Sequence, residues 1–177
     1  MTLPVSIVTA APRDRETIAN LLQLYLYEMT ADLPFPIGRD GRFGYDYLDR
    51  FWQHPYLIFC GADLAGFALI IDESPVTGEA GRFFVAEFFV LKAYRGQGVG
   101  SAVFHAIVGR HPGRWQVGVI EKNAAAAAFW KKATLPYRPT SHARAFDGED
   151  WLVRDFDADG ASAADPDRAT DAGGSLE

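Results

Sequence analysis

The amino-acid sequence predicts a single globular domain with a mixed α+β fold, for three reasons. Strand-like and helix-like segments follow one another in the order β-α-α-β-β-β-α-β-α-β-β, without an internal repeat. Hydrophobic residues make up 49% of the 177 residues and aromatic residues 14%, which is typical of a globular chain. A chain of this length can also bury enough apolar surface for one stable core. We therefore expect a single folded domain over residues 1–156.

The beginning of this domain is predicted to form a strand and two helices. Val5–Thr9 has the pattern of a short strand, and Asp14 is placed to cap the helix that follows. Apolar side chains recur on one face of that helix: Ile18, Leu21, Leu22, Tyr25 and Met29. Residues 31–44 combine proline and glycine with phenylalanine, which indicates an ordered loop. Tyr45–Trp52 is predicted to form a short second helix with its apolar residues on one side.

The rest of the domain is predicted to contain six strands and two further helices. Apolar runs bounded by glycine, proline and aspartate mark their positions. These elements are a hairpin of Tyr56–Cys60 and Leu64–Ile71, a strand at Arg82–Leu91, an apolar helix ending near Val108, a strand at Trp115–Ile120, a helix at Asn123–Ala133, and a final hairpin of Ser141–Phe146 and Trp151–Phe156.

The net charge of −6 comes mostly from the end of the chain. Residues 157–177 contain six acidic residues, one arginine and no large apolar residue except Leu176. Such a segment cannot bury enough surface to offset the entropy of ordering, so we expect a disordered acidic tail. The preceding 156 residues carry a net charge of only −1, so the global charge says little about a substrate.

Composition also excludes several classes of protein. A nucleic-acid-binding domain would need a basic surface, which this chain lacks. The longest apolar runs have seven to nine residues, whereas a membrane span needs about 20. The N-terminus has no signal-peptide pattern, and the single cysteine, Cys60, is expected to be an inert buried thiol. The four histidines lack metal-ligand spacing. We therefore expect a cytoplasmic protein with no metal, nucleic-acid or membrane partner.

The most informative segment joins a buried strand to a helix. It reads Arg95-Gly96-Gln97-Gly98-Val99-Gly100. Glycines at the start of a helix allow backbone N–H groups to converge, and together with the helix dipole they form a site for a pyrophosphate. Arg95 can add a charge-assisted hydrogen bond to the same phosphates. A plain tight turn is the alternative explanation of the glycines, and the position between strand and helix favours phosphate binding.

Two common phosphate-binding motifs do not fit this loop. A P-loop requires Gly-Lys-Ser/Thr, but Gly98 is followed by Val99 and Gly100. A dinucleotide-binding fingerprint requires a third glycine where Ser101 stands. That fingerprint would also have to open the domain, whereas here it lies past the middle of the chain.

The loop instead resembles the central motif of the Gcn5-related N-acetyltransferase (GNAT) family, Gln/Arg-x-x-Gly-x-Gly/Ala. Arg95 to Gly100 matches it at every specified position. Upstream, residues 86–90 resemble the family's glutamate-bearing strand, and downstream Asn123 with Phe129-Trp130 resembles its Asn-x6-aromatic helix. The resemblance covers about residues 4–156. It implies a mixed, mostly antiparallel central sheet of about seven strands, flanked by helices, with a V-shaped splay between the fourth and fifth strands.

The resemblance implies acetyl-CoA as the acyl donor. The phosphate loop would hold the pyrophosphate, and the edge of the fourth strand would pair with the pantetheine arm. Asn123 would face that arm, and Phe129 and Trp130 would flank the thioester. The complete set of implied donor-binding residues is Phe88, Phe89, Val90, Arg95, Gly96, Gln97, Gly98, Val99, Gly100, Asn123, Phe129 and Trp130.

Glu87 is the candidate catalytic residue. It is the only charged residue in the otherwise apolar run Phe83–Leu91, where desolvation would raise the pKa of its carboxyl toward that of a useful base. It would remove a proton from an ammonium, through a water, so that the neutral amine attacks the thioester. The alternative is that Glu87 pairs with an arginine and only supports the sheet. Trp130 stands where many family members place a tyrosine acid, so thiolate protonation falls to solvent or to Tyr137, unless Tyr137 is structural.

The acceptor is expected to be a small amine. Between Glu28 and Asp49 the chain carries five acidic residues interleaved with aromatic ones, and this pattern suggests a pocket for a cationic amine with an apolar body. A solvated acidic face is the alternative. The sequence thus predicts an N-acetyltransferase that acts by direct attack, with backbone N–H groups of the central strand stabilising the oxyanion. The alternative interpretation is an acyl-CoA-binding module with weak or no catalysis. A homodimer is compatible with the sequence.

Overall fold

The computed structural model describes residues 4–158, which form one seven-stranded sheet with three helices. The strand order is β1-β2-β3-β4-β5-β7-β6. The elements are β1 Val5–Thr9, α1 Arg15–Met29, β2 His54–Cys60, β3 Asp63–Glu73, β4 Ala80–Val90, α2 Val99–Arg110, β5 Arg114–Ile120, α3 Ala124–Thr134, β6 Thr140–Phe146 and β7 Glu149–Asp157. All seven predicted strands are confirmed. Most of the predicted acidic tail, from residue 159 onward, lies outside the described residues.

The sheet is antiparallel except where β4 meets β5. These two strands pair in parallel through only two positions, Phe83 with Trp115 and Phe84 with Gln116. Beyond Phe84 the strands part, so the second half of β4 has a free edge facing β5. The V-shaped splay between the fourth and fifth strands is therefore confirmed.

A β-bulge in β4 lies at the start of this splay. Leu69 of β3 is paired with Glu87, whereas the next residue, Ile70, is paired with Val85, so Ala86 is an extra residue in β4. A bulge bends its strand and re-aims the side chains beside it. It places β4's second half away from β5 and sets the direction of Glu87.

The two faces of the sheet carry separate hydrophobic cores. Helices α2 and α3 cover one face, where Phe104 and Trp115 are fully buried. Helix α1 covers the other face, with Ile18 and Leu22 against Phe67. The predicted apolar stripe of α1 thus explains how this helix attaches to the sheet. Cys60 is buried, as expected, and no helix within residues 4–158 is long and apolar enough to cross a membrane.

The predicted helix at Tyr45–Trp52 is wrong. This segment contains only isolated turns, such as the hydrogen bond from the Phe51 N–H to the Tyr47 carbonyl at 2.9 Å. A helix of eight residues gains little stability by itself, and here side-chain contacts decide the conformation. Phe51 is buried in the core beneath α1, and the Tyr45 hydroxyl reaches β4.

Asp14 is the N-cap residue of α1, as predicted, but its side chain does not make the expected capping hydrogen bond. Its carboxyl accepts a hydrogen bond from the Ala11 N–H at 2.8 Å and therefore closes the short 3-10 turn Pro12–Asp14 that precedes α1. The same carboxyl makes no hydrogen bond with the first turn of α1. A side-chain oxygen can satisfy a backbone N–H on either side of a helix start, and the proline-containing turn takes it here.

Candidate active site

The glycine loop after β4 has the backbone geometry of an anion site. Gly96 and Gly98 adopt the left-handed φ values of 75° and 82°, which residues with a side chain rarely adopt. Gly98 is the residue before α2, so the first N–H groups of that helix, which lack intrahelical partners, open onto the loop. A Cβ atom at Gly96 or Gly98 would meet no atom within 4 Å. Backbone conformation and open space, rather than packing, therefore explain these two glycines.

Gly100 has a different reason to be a glycine. A Cβ atom here would lie 3.0 Å from Cε2 of Phe129. The Phe129 ring in turn stacks on Phe88 of β4, with ring centroids 5.8 Å apart. Gly100 thus allows the aromatic ring of α3 to pack against the first turn of α2, at the side of the splayed strand.

The predicted donor-binding residues of β4 and α3 lie on both faces of the sheet. Phe88 contacts Trp130 at 5.2 Å between ring centroids, and both pack with the core under α2 and α3. Phe89 faces the opposite core, where its ring lies 5.7 Å from that of Tyr25. Asn123 caps α3, because its Oδ1 accepts a hydrogen bond from the Ala126 N–H at 2.9 Å. The structure therefore brings Phe88, Phe129 and Trp130 together but separates Phe89 from them.

Arg95 and Gln97 already have protein partners. The Arg95 Nε donates to the Val90 carbonyl at 2.6 Å, and its Nη1 lies 2.7 Å from a carboxyl oxygen of Glu28 in α1. The guanidinium also lies over the Phe89 ring, 5.4 Å from its centroid. Gln97 donates to the Ala93 carbonyl at 2.9 Å, which closes the loop on itself. Arg95 thus connects the glycine loop to β4 and to α1.

The Glu87 carboxyl lies among tyrosines. The Tyr45 hydroxyl donates a hydrogen bond of 2.7 Å to Glu87 Oε1, and Tyr25 of α1 is a second hydrogen-bonding partner. Burial raises the pKa of Glu87 to about 7, although both hydroxyl groups favour the charged form and act in the opposite direction. Glu87 forms no ion pair within residues 4–158, so the alternative of an arginine partner finds no counterpart there.

The two tyrosines are the site residues that sequence reasoning missed. The sequence pattern predicts Tyr25 only as part of the apolar stripe of α1, and Tyr45 only as part of a helix. A buried tyrosine needs a partner for its hydroxyl, and this requirement is the signal that could have linked Tyr25 to a nearby acid. Burial, the first cause, and the adjacent Glu87 charge raise the pKa of both phenols. Both tyrosines therefore act as hydrogen-bond donors to the carboxylate.

Trp130 and Tyr137 are both integrated in the core under α2 and α3. Trp130 is 7% exposed and packs edge-on against Phe104, with centroids 5.1 Å apart. The Tyr137 hydroxyl is 2.8 Å from Nδ1 of His105, and its ring stacks on Phe156 at 4.8 Å. Burial raises the pKa of Tyr137, which makes the phenol a weaker acid.

Part of the acidic stretch from Glu28 to Asp49 is neutralised. Glu28 pairs with Arg95, and Asp49 pairs with Arg15 of α1. Asp40 accepts a hydrogen bond from the Arg42 N–H at 3.2 Å and so stabilises its own turn. The five acids therefore do not act as one free anionic surface, and the carboxyl that lies among apolar and aromatic groups is Glu87.

A cavity of about 410 Å³ lies at the end of β5, away from Glu87 and the glycine loop. It is lined by Glu121, Lys122, Gly148, Glu149 and Asp150. Lys122 pairs with Glu149 across it at 2.8 Å. Open space alone therefore does not identify the reactive position. Residues 4–158 contain no group of three or more side chains arranged to hold a metal ion.

Comparisons with known proteins agree with this fold. The sequence model described as the acetyltransferase (GNAT) family matches residues 18–134, about two thirds of the chain. A GNAT family acetyltransferase from Streptococcus agalactiae superimposes with a TM-score of 0.65 at 15% identity, covering 89% of this chain and 97% of that one. A search of curated proteins finds no match.

Two further solved structures share the fold. The GNAT domain of S. lividans PAT gives a TM-score of 0.61 at 18% identity, covering 86% of this chain and 90% of that one. A Salmonella typhimurium protein solved with its cofactor acetyl-CoA gives 0.58 at 14% identity, with coverages of 92% and 98%. At these identities the likeness concerns the fold, including the seven-stranded sheet with parallel β4 and β5.

Proposed function

Because this chain belongs to the GNAT family of acetyltransferases, we propose that it transfers an acetyl group from acetyl-CoA to the primary amine of a small acceptor. The observation that carries the proposal is the position of Glu87. Its carboxyl lies on the bulge that opens β4, and its pKa of about 7 suits a base at neutral pH.

The structure contains groups that fit acetyl-CoA. Gly96 and Gly98 shape a loop with open space in front of them, and the first N–H groups of α2 can hold the pyrophosphate. The free edge of β4 from Phe88 to Val90 can pair with the pantetheine arm as an added strand would. Phe129 and Trp130 form the apolar wall beside this edge. When bound, acetyl-CoA supplies an activated thioester.

The protein's own residues accept the proton of the acceptor amine and stabilise the charge that forms during the attack. Glu87 accepts the proton of the acceptor ammonium through a water, so that the neutral amine can attack the thioester carbonyl directly. The hydroxyls of Tyr25 and Tyr45 hold the carboxylate in place while it is ionised. Backbone N–H groups on the free edge of β4 are suited to stabilise the oxyanion that forms during the attack.

A kinetic experiment tests the proposal. The protein is incubated with acetyl-CoA and a panel of primary amines, and release of the CoA thiol is followed. We expect Glu87→Gln to lower kcat by roughly 10²- to 10⁴-fold, the range for loss of a general base, while the Kd for acetyl-CoA stays unchanged. Glu73→Gln, an exposed substitution at the end of β3, serves as the matched control and should retain full activity.

Two results would contradict the proposal. Tight acetyl-CoA binding without turnover of any amine would favour the alternative, a binding module, and the presence of Trp130 in place of an acid is the feature compatible with it. No binding of acetyl-CoA at millimolar concentration would exclude both functions and leave the glycine loop as a structural turn.

A further inference from the structure

We propose that Glu28 competes with the phosphates of the acyl donor for Arg95, so that the Arg95–Glu28 ion pair lowers donor affinity and links donor binding to α1. This inference rests on the proposed function. It makes Glu28, a residue outside every donor motif, a determinant of acetyl-CoA binding.

The position of Arg95 supports the competition. Arg95 is the first residue of the phosphate loop, and its side chain is 41% exposed. Two groups hold it in place at hydrogen-bond distance, the Val90 carbonyl and the Glu28 carboxyl. Its guanidinium therefore points toward α1 although its backbone belongs to the loop.

The chemistry of the two anions, the Glu28 carboxylate and the donor pyrophosphate, favours the transfer of Arg95 from the first to the second. The Arg95 side chain is exposed and that of Glu28 is 24% exposed, so solvent still reaches and screens this arginine–carboxylate pair, and its contribution to stability is small. A pyrophosphate carries more charge than one carboxylate, and arginine binds phosphate oxygens in a bidentate geometry. A donor held by the neighbouring N–H groups of α2 would bring its phosphates within reach of Arg95.

The position of Glu28 explains why the exchange matters for the acceptor side. Glu28 lies in the last turn of α1, where the helix dipole disfavours a negative charge, so the residue depends on a cationic partner. Tyr25 lies three residues earlier on the same face of α1 and bonds Glu87. Once Arg95 turns to the phosphates, Glu28 becomes a carboxylate one helical turn from the reactive site, and an acceptor ammonium is the cation that fits it.

Calorimetric titration with acetyl-CoA tests the inference. We expect Glu28→Gln to bind acetyl-CoA roughly two- to fivefold more tightly than wild type, the range set by breaking a solvent-screened ion pair. Asp49→Asn is the matched control, because it removes one negative charge and breaks the Arg15–Asp49 pair at a distance from the loop. It should leave the Kd unchanged. Glu28→Ala repeats the test with a different side chain.

A double-mutant cycle shows whether the effect passes through Arg95. In an Arg95→Gln background, Glu28→Gln should no longer change the Kd, since the cation for which Glu28 and the phosphates compete is gone. An unchanged or weaker Kd in both Glu28 variants overturns the inference, and so does a gain that persists without Arg95, which would indicate long-range charge alone. If wild type binds acetyl-CoA but either of these two outcomes is found, the inference about Glu28 fails and the proposed function stands. If wild type does not bind acetyl-CoA, both fail.

Discussion

Tyr45 donates its hydroxyl hydrogen to Glu87 at 2.7 Å, across 42 residues of sequence. The loop between α1 and β2 thereby reaches the bulge of β4 and holds the one carboxyl that lies in the opened part of the sheet. The contact connects the segment expected to meet the acceptor with the residue expected to take its proton.

The pH dependence of kcat/KM should show an acidic limb near pH 7. Burial raises the pKa of Glu87 to about 7, and only its ionised form can accept a proton. Activity should therefore rise as pH increases through this value and fall below it about tenfold per pH unit. Initial rates between pH 5 and 9, with saturating acetyl-CoA and the amine well below its KM, measure this limb. A rate that stays constant down to pH 5 would mean that no base with a pKa near 7 limits the reaction, and would contradict the role given to Glu87.

Tyr45→Phe should move the same limb to higher pH. The hydroxyl stabilises the carboxylate form of Glu87, so its loss raises the pKa of that carboxyl further. The pH profile of the variant measures the shift. Tyr47→Phe is the control, because Tyr47 is 52% exposed and packs beside Tyr45 without contacting Glu87. Equal shifts in both variants would point to a general disturbance of the loop instead.

Glu87→Gln should stabilise the protein at alkaline pH. A carboxyl whose pKa is higher in the folded state binds more protons there, so its ionisation destabilises the fold as pH rises from about 4.5 to 7. At pH 8 the neutral variant should gain on the order of 1–3 kcal/mol, and at pH 4 the gain should disappear. Thermal unfolding at the two pH values measures the difference. A variant less stable than wild type at pH 8 would show that the surrounding groups stabilise the Glu87 carboxylate more than the observed contacts indicate.

Gly98→Ala should impair donor binding more than its effect on folding explains. At φ 82° a side chain costs about 1–2 kcal/mol of stability, and relaxing this strain displaces the N–H groups at the start of α2. We expect a weaker Kd for acetyl-CoA together with the lower Tm. Gly78→Ala is the matched control: its φ of 72° imposes similar strain, in open space, in the turn between β3 and β4. It should lower Tm but leave the Kd unchanged, and equal effects on the Kd would contradict a phosphate-binding role for the loop.

The sequence predicted the elements of this fold better than the contacts between them. Strands and glycine turns have local patterns, and the loop from Arg95 to Gly100 is a local pattern as well. The spacing of apolar residues in Tyr45–Trp52 predicts a helix, yet the hydrogen bond from Tyr45 to the distant Glu87 carboxyl helps to decide the conformation of this segment. The pair between Glu28 and Arg95 joins residues far apart in the chain, and no periodicity reports such a pair. The bulge at Ala86 depends on pairing with β3, which spacing within β4 cannot reveal.

The extra residue at Ala86 also changes which side chains of β4 face which half of the molecule. Before it, the odd-numbered Phe83 and Val85 face α2 and α3; after it, the even-numbered Phe88 and Val90 do. The alternation of side chains between the two faces of the sheet is therefore shifted by one residue at Ala86, between the half of β4 that pairs with β5 and the half that carries Glu87. Deleting Ala86 would restore the regular alternation and leave Glu87 opposite Leu69, so the carboxyl would keep its side of the sheet while the bend that turns β4 away from β5 would be lost. In this strand, residue count is as much a determinant of chemistry as residue type.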